Sequence, residues 1–310
     1  MHEYALKLDL CIREISRFII GKENVVKLML VSILSGGHIL LEGPLGVAKT
    51  TLSKAFAKVI GGTFRRIQCT SDLLPSDVLG TYVYDQKKGE YVLKKGPIFS
   101  NIILLDEIDR ASPRTQSAFI EAMQENQVSI EGVTLKLPQP FMVIATRIFI
   151  EEEGVFPLPK VQVDRFMMRI PITFPLPKEE IEILNRIDLI DEFNVREILK
   201  PEDILWLREK ARKVTVSPLI KKYIVDLVNY LRRNEYADFP VSPRASIFLF
   251  KGARAKALIE GRDYVIPDDV KSISFYVLNH RISLKPEAEM DGVTVSTILN
   301  EAFKKVPVPR

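Results

Sequence analysis

Residues 40–51 read LLEGPLGVAKTT: a short apolar run, a loop with glycines at 43 and 46, then Lys49, Thr50 and Thr51 opening a helical stretch. Glycines let a backbone wrap tightly enough for its N–H groups to face phosphate oxygens. The N-terminus of the following helix adds partial positive charge. In a loop of this pattern the lysine reaches the β- and γ-phosphates of a nucleotide, and the hydroxyl of the next residue ligates Mg²⁺. The expected nucleotide contacts are therefore Gly43, Pro44, Leu45, Gly46, Val47, Ala48, Lys49, Thr50 and Thr51, with Thr50 also a Mg²⁺ ligand. The pattern asks for glycine where Ala48 stands. Alanine is expected to be tolerated there only if the position avoids a positive φ.

Further along, residues 101–109 read NIILLDEID, an apolar strand ending in two adjacent carboxylates. Neighbours on a strand point to opposite sides, so the two acids can take different tasks. Asp106 is expected to hold Mg²⁺, directly or through water, and Glu107 to polarise the attacking water. A solvated acidic strand end is common taken alone. Downstream of a phosphate loop, in an α/β pattern, ATP/ADP with Mg²⁺ is the better reading.

Around these two stretches, strand and helix signals alternate. GGHILLEG, SNIILLDE and FMVIAT read as three strands, and KTTLSKAFAKVIGG and PRTQSAFIEAMQEN as helices. Short apolar runs between helices mark a parallel sheet covered on both faces. Two hairpin-like inserts interrupt the pattern: TYVYDQKKGEYVL, turning between Asp85 and Gly89, and QVSIEGVTLKL, turning at Glu131-Gly132. FPLPKEE, with Pro175 and Pro177, reads as a boundary between an α/β core (1–175) and a helical domain (176–310). Five helices are expected beyond it.

Composition sets limits. With 46% hydrophobic and 27% charged residues in a chain of 310, the protein reads as globular and two-domain. A net charge of +4 and the lack of a basic tract argue against a nucleic-acid arm or a membrane patch. The longest apolar stretch, VVKLMLVSIL, is too short to span a bilayer. The N-terminal MHEYALKLDLC lacks a signal-peptide layout, so a cytoplasmic setting is expected. Cys11 and Cys69 offer no disulfide framework, and His2, His38 and His280 lie too far apart in sequence to suggest a metal site.

At this point the sequence resembles the MoxR group of AAA+ ATPases. The resemblance covers nearly the whole chain and rests on GGHILLEGPLGVAKT, LLPSDVLGTYVYD, GPIFSNIILLDEIDRASPRTQSAFIEAMQE, EEEGVFPLPKVQVDRF, SPRAS and ALIEGRDYVIPDDV. It implies a P-loop core of three αβα layers followed by an all-helical lid. It also implies an ATP-driven homo-oligomeric ring, usually hexameric, with nucleotide between neighbouring subunits. Arg165, in VDRF, matches the arginine finger that projects into the neighbour's site, and Arg244, in SPRAS, matches the sensor-2 arginine that touches the γ-phosphate. Alanine is common in the family at the position of Ala48. Tyr82, Tyr84 and Tyr91 on the first hairpin are expected either to grip a partner or to form cross-strand packing pairs.

The family usually reads ATQNPIEQEG where this chain reads ATRIFIEEEG, so Arg147, Ile148 and Phe149 replace glutamine, the sensor-1 asparagine and proline. Isoleucine has no side-chain hydrogen bond to give, and losing one such positioning group costs ~10²–10³ in rate. Thr146 and Arg147 are the candidates to take over. Asp109 and Leu45 also depart from the family's usual asparagine and proline. Three functions compete: a chaperone-like remodeller of client proteins, in this family often ones with a von Willebrand A domain; a nucleotide-gated scaffold with weak hydrolysis; and a DNA-remodelling motor, for which Lys87, Lys88, Lys94 and Lys95 are the argument. A magnesium-chelatase-like motor subunit is a close relative of the first.

Overall fold

A computed structural model describes residues 2–148, 155–238 and 240–309. The chain opens with α1 (His2–Ser16) and α2 (Glu23–Leu34), then enters β1 (Ile39–Glu42), α3 (Lys49–Val59), β2 (Phe64–Gln68) and α4 (Pro75–Leu79). A hairpin of β3 (Gly80–Asp85) and β4 (Glu90–Lys95) precedes β5 (Ile102–Asp106), a 3-10 turn (Ile108–Arg110) and α5 (Pro113–Glu125). A second hairpin, β6 (Gln127–Ile130) and β7 (Val133–Lys136), leads to β8 (Met142–Arg147), α6 (Lys160–Val163) and β9 (Met168–Pro171). Eight helices follow: α7 (Pro177–Asn185), α8 (Ile187–Glu192), α9 (Pro201–Lys213), α10 (Pro218–Arg232), α11 (Pro243–Ile259), α12 (Pro267–Leu278), α13 (Pro286–Met290) and α14 (Val295–Lys305).

The central sheet is parallel with order β2-β5-β8-β1-β9. Alternation on its strands divides the core. Ile39, Leu41, Ile102, Leu104, Met142 and Ile144 belong to one buried cluster, which takes in α1, α2, α3 and the C-terminal helices. Leu40, Ile103, Leu105, Val143 and Ala145 belong to the other, which packs on α5. The period of two thus builds three layers. The first cluster runs without a break across 175/176. Gly252 helps α11 approach α12 and the residue before β9, since a Cβ there would lie 2.6 Å from Ile273 Cδ1 and 2.9 Å from Met167 Cε.

The expectation of three strands undercounts the sheet. Both missing strands lie at its edges, where one flank needs no apolar partner: β2 exposes Arg65, Arg66 and Gln68, and β9 has four residues. Five C-terminal helices also undercount. The first expected helix breaks at Arg186 into α7 and α8, and α13 and α14 are additional. The signal for α14 is in the sequence: Thr294 caps it, and Val295, Ile298, Leu299 and Ala302 recur at helical spacing. Both hairpins form at the expected turns, with Glu131 and Gly132 each at positive φ.

Candidate active site

The phosphate loop links the end of β1 to the start of α3. A Cβ at Gly43 would run into the Ile172 carbonyl, so only glycine fits there. Gly46 has φ +79° and Ala48 φ +61°. The requirement that Ala48 avoid positive φ is therefore not met. The alanine is held in the left-handed region at a cost of about 1–2 kcal/mol, because the loop must turn its amides inward. Lys49 is buried and its Nζ donates to the carbonyls of Gly43 (2.6 Å) and Pro44 (2.9 Å). Burial lowers its pKa, while Asp106 and Glu107 pull it back up.

Beside the loop, Asp106 ends β5. Its Oδ2 accepts from Thr50 Oγ1 at 3.4 Å and from Arg66 Nε and Nη2 at 3.0 and 2.7 Å. Its Oδ1 accepts from Thr146 Oγ1 at 2.6 Å. The same Thr146 oxygen accepts the Glu107 backbone N–H at 2.9 Å. Thr146, fully buried at the end of β8, thus clamps both acids. A hydroxyl has a single proton, and this one is committed to Asp106. In this geometry Thr146 has nothing left to donate to a phosphate. Glu107 sits at φ +56°, and its carboxylate pairs with Arg110 Nε at 2.6 Å.

Thr50 and Asp106 offer the hard oxygen donors that Mg²⁺ takes, leaving phosphate oxygens and water to fill its octahedron. Among the described residues no group of three or more His, Cys, Asp or Glu could hold a metal by itself. Arg66 had no signal in the sequence, because an arginine on a polar edge strand reads as solvated surface.

Arg147 takes a different position from Thr146. Its carbonyl accepts the Gly43 N–H at 3.2 Å, tying β8 to the entrance of the phosphate loop. Its guanidinium lies 3.5 Å from Asp109 Oδ2 and 3.8 Å from Glu42 Oε1. Two departures from the family pattern, Arg147 and Asp109, therefore meet each other. Burial raises the Asp109 pKa, and Arg147 and Arg110 oppose that. Glu42 also holds Arg169 at 3.5 Å, and Arg169 reaches the carbonyl of Asn279 after α12 (3.0 Å). A chain of charges thus connects the loop entrance to the helical segment. Ile148 is half-buried; Phe149 lies outside the described residues.

The two arginines implied by the resemblance are brought together, but not to this chain's phosphate loop. Arg244 donates to Asp164 Oδ2 (3.0 Å), and Arg281 to Asp164 Oδ1 (2.9 Å). Adjacent Arg165 bonds Gln124 while its buried Nε has no partner. Burial first, then Arg244, lowers the Arg165 pKa. All of this lies where strands begin: Met167, just after Arg165, donates to the His38 carbonyl that precedes β1. The phosphate loop follows the far end of β1. In this arrangement Arg244 is engaged by Asp164.

On the first hairpin, Tyr84 and Tyr91 pair across the strands with ring centroids 5.4 Å apart, yet remain 56% and 71% exposed. Tyr82 pairs with Leu93 and packs on the core. Cross-strand packing and an exposed aromatic tip coexist.

A phosphate loop, a two-acid strand end and a helical extension on a five-stranded parallel sheet define an AAA-type nucleotide-binding core with its lid. Residues 38–168 match the family model described as the ATPase family associated with various cellular activities (AAA), and residues 230–302 match the AAA lid domain. The chain is 42% identical to the chaperone MoxR1 of Mycobacterium tuberculosis, over 98% of this chain and 82% of that protein. It is also 42% identical to YeaC of Bacillus subtilis, covering 97% and 95% of the two chains. A crystal structure from Cytophaga hutchinsonii, 40% identical, superposes with a TM-score of 0.93 over 99% of this chain and 96% of that one. The chain belongs to the MoxR family of AAA+ ATPases.

Proposed function

We propose that the protein hydrolyses ATP to ADP and phosphate with Mg²⁺ as a homo-oligomeric ring, hexameric by family resemblance, that remodels client proteins in the cytoplasm. The observation that carries hydrolysis is the Thr146 clamp, which fixes Asp106 and Glu107 beside Lys49 and Thr50. Lys49 binds the β- and γ-phosphates. Thr50 and Asp106 would hold Mg²⁺, which would supply charge neutralisation at the phosphates. Glu107, released from Arg110, takes a proton from water as its oxygen attacks the γ-phosphorus and the bond to the β-phosphate oxygen breaks. Arg147, anchored by Asp109 and Glu42, is the cation at the strand end that takes over from the missing asparagine.

The separation of Arg165 and Arg244 from their own phosphate loop supports the ring. Each is proposed to serve the neighbour's nucleotide, with Asp164 holding Arg244 in readiness. The client is a protein, with von Willebrand A domains as the first class to test. Among the described residues no helix is long and apolar enough to cross a membrane. The core and helical domains are proposed to divide at 175/176.

A nucleotide-gated scaffold with weak hydrolysis is the second reading, favoured by Ile148 and by the Glu107–Arg110 pair, which occupies the base. Steady-state ATP hydrolysis with Mg²⁺, against a Glu107→Gln blank, separates the two. Turnover above the blank supports the motor. Turnover equal to the blank, with ATP binding intact, sinks it in favour of the scaffold.

A further inference from the structure

A cleft of about 850 Å³ opens between the start of the sheet and helices α9, α10 and α11. Five cationic side chains line it: Arg208 and Arg212 from α9, Lys221 from α10, and Lys251 and Arg254 from α11. No carboxylate lines it among the described residues. Among the described residues the one acid bonded to a lining cation is Glu209, which pairs with Arg212 at 2.7 Å; both are mostly exposed, so the pair neutralises little.

Two of the cations, Arg208 and Arg254, are held rather than loosely solvated. Arg208 Nε donates to the Ile33 carbonyl (2.6 Å) and its Nη1 to Gln139 (3.3 Å), while its buried Nη2 has no partner. Arg254 Nε donates to the Ala211 carbonyl at 2.9 Å, and its guanidinium lies 5.2 Å from the centre of the Phe250 ring. Burial first, then Arg212, depresses the pKa of both Arg208 and Arg254. Like charges held together, one with an unused buried donor, raise the free energy of the protein until an anion enters.

The cleft is distinct from the chain's own phosphate loop. Gly36 and Phe141, which line it, precede β1 and β8, whereas the loop follows β1. Its volume is that of a small-molecule site. Guanidinium forks grouped with ammonium groups match several phosphates better than one carboxylate. The apolar walls of Phe141 and Phe250 leave room for an organic part.

We propose that this cleft binds a small anion carrying several phosphate groups, at a site separate from the ATP-binding loop. The test is calorimetric titration of the full chain, saturated with MgADP, with inorganic tripolyphosphate. One equivalent is expected to bind per chain, more weakly as salt rises. The double variant Arg212→Glu/Lys251→Glu, both at exposed positions, is expected to weaken binding roughly tenfold or more. Lys49→Ala, titrated without nucleotide so that its weakened phosphate loop cannot account for the signal, is expected to retain this binding. Absence of saturable binding overturns the proposal, as does binding lost in Lys49→Ala or indifferent to the charge reversal. A charge reversal that blocks assembly, in a chain whose wild type ignores tripolyphosphate, overturns it too and makes the cleft a contact between copies. None of these outcomes depends on whether the chain hydrolyses ATP.

Discussion

Where the strands end, Asp106, Glu107, Glu42 and Asp109 gather, and each is engaged by a cation or hydroxyl of the same chain. Where the strands begin, Arg165, Arg244 and Arg281 gather around one carboxylate, Asp164, and Arg165 here and Arg208 in the neighbouring cleft each keep a buried nitrogen without a partner. One end of the sheet is closed on itself and the other is left with donors to spare. The acids and the two arginines that the family resemblance assigns to phosphoryl transfer thus lie at two ends of one molecule. In the proposed ring, a second copy would bring its Arg165 and Arg244 to the first copy's acids.

The most demanding test of that contrast is Arg165→Ala. It is expected to lower turnover by ~10³–10⁵ with ATP binding retained. Mixing it with Glu107→Gln should then restore activity, because some junctions combine an intact base with an intact finger. Equal inactivity of the mixture would show that the two ends do not meet between copies. Next comes Thr146→Val, which removes the clamp on both acids. Turnover is expected to fall ~10²–10³, while Thr146→Ser, which keeps the hydroxyl, stays near wild type. A valine variant with full activity would mean the acids are fixed by something else.

At the beginning of the strands, the contrast has a pH signature. His38 accepts the Val143 N–H at Nδ1 (2.9 Å), so its proton sits on Nε2 and is donated to the Met123 carbonyl (2.9 Å). Burial holds its pKa down to about 4, against an ordinary 6.5. Between those values the unfolded chain binds the proton and the folded chain does not. Stability is therefore fully present above about pH 6.5 and declines as pH falls toward 4, by on the order of 3 kcal/mol. Denaturant unfolding across this range should show a shallower slope for His38→Gln; an unchanged slope would assign the effect to other groups. The smallest expected effect returns to the phosphate loop. Ala48→Gly relieves the left-handed strain and should stabilise the fold by about 1 kcal/mol, read by the same unfolding measurement.

Local chemistry was enough for much of this molecule. The glycine loop with Lys49 and Thr50, the apolar run ending in Asp106-Glu107, the three central strands and both hairpin turns were legible because each depends on neighbours within a few residues. Periodicity, turn residues and a helix start carry that information. The edge strands β2 and β9 were not legible, since a strand paired on one side can be short or polar and still form. Residues brought together from afar were hidden as well. Thr146 reaches Asp106 across 40 positions and Arg147 answers Asp109 across 38, contacts made by the parallel register of β5 and β8.

The sequence by itself therefore determined the class of fold and the family, and supplied the inventory of candidate phosphate-binding and acidic groups. Only the tertiary structure decided which of them share a site. It put Thr146 rather than Arg147 under the acids, and drew Arg244 to Asp164, away from its own phosphate loop. Strand register and helix packing set those distances, and neither is written in any single stretch of the chain.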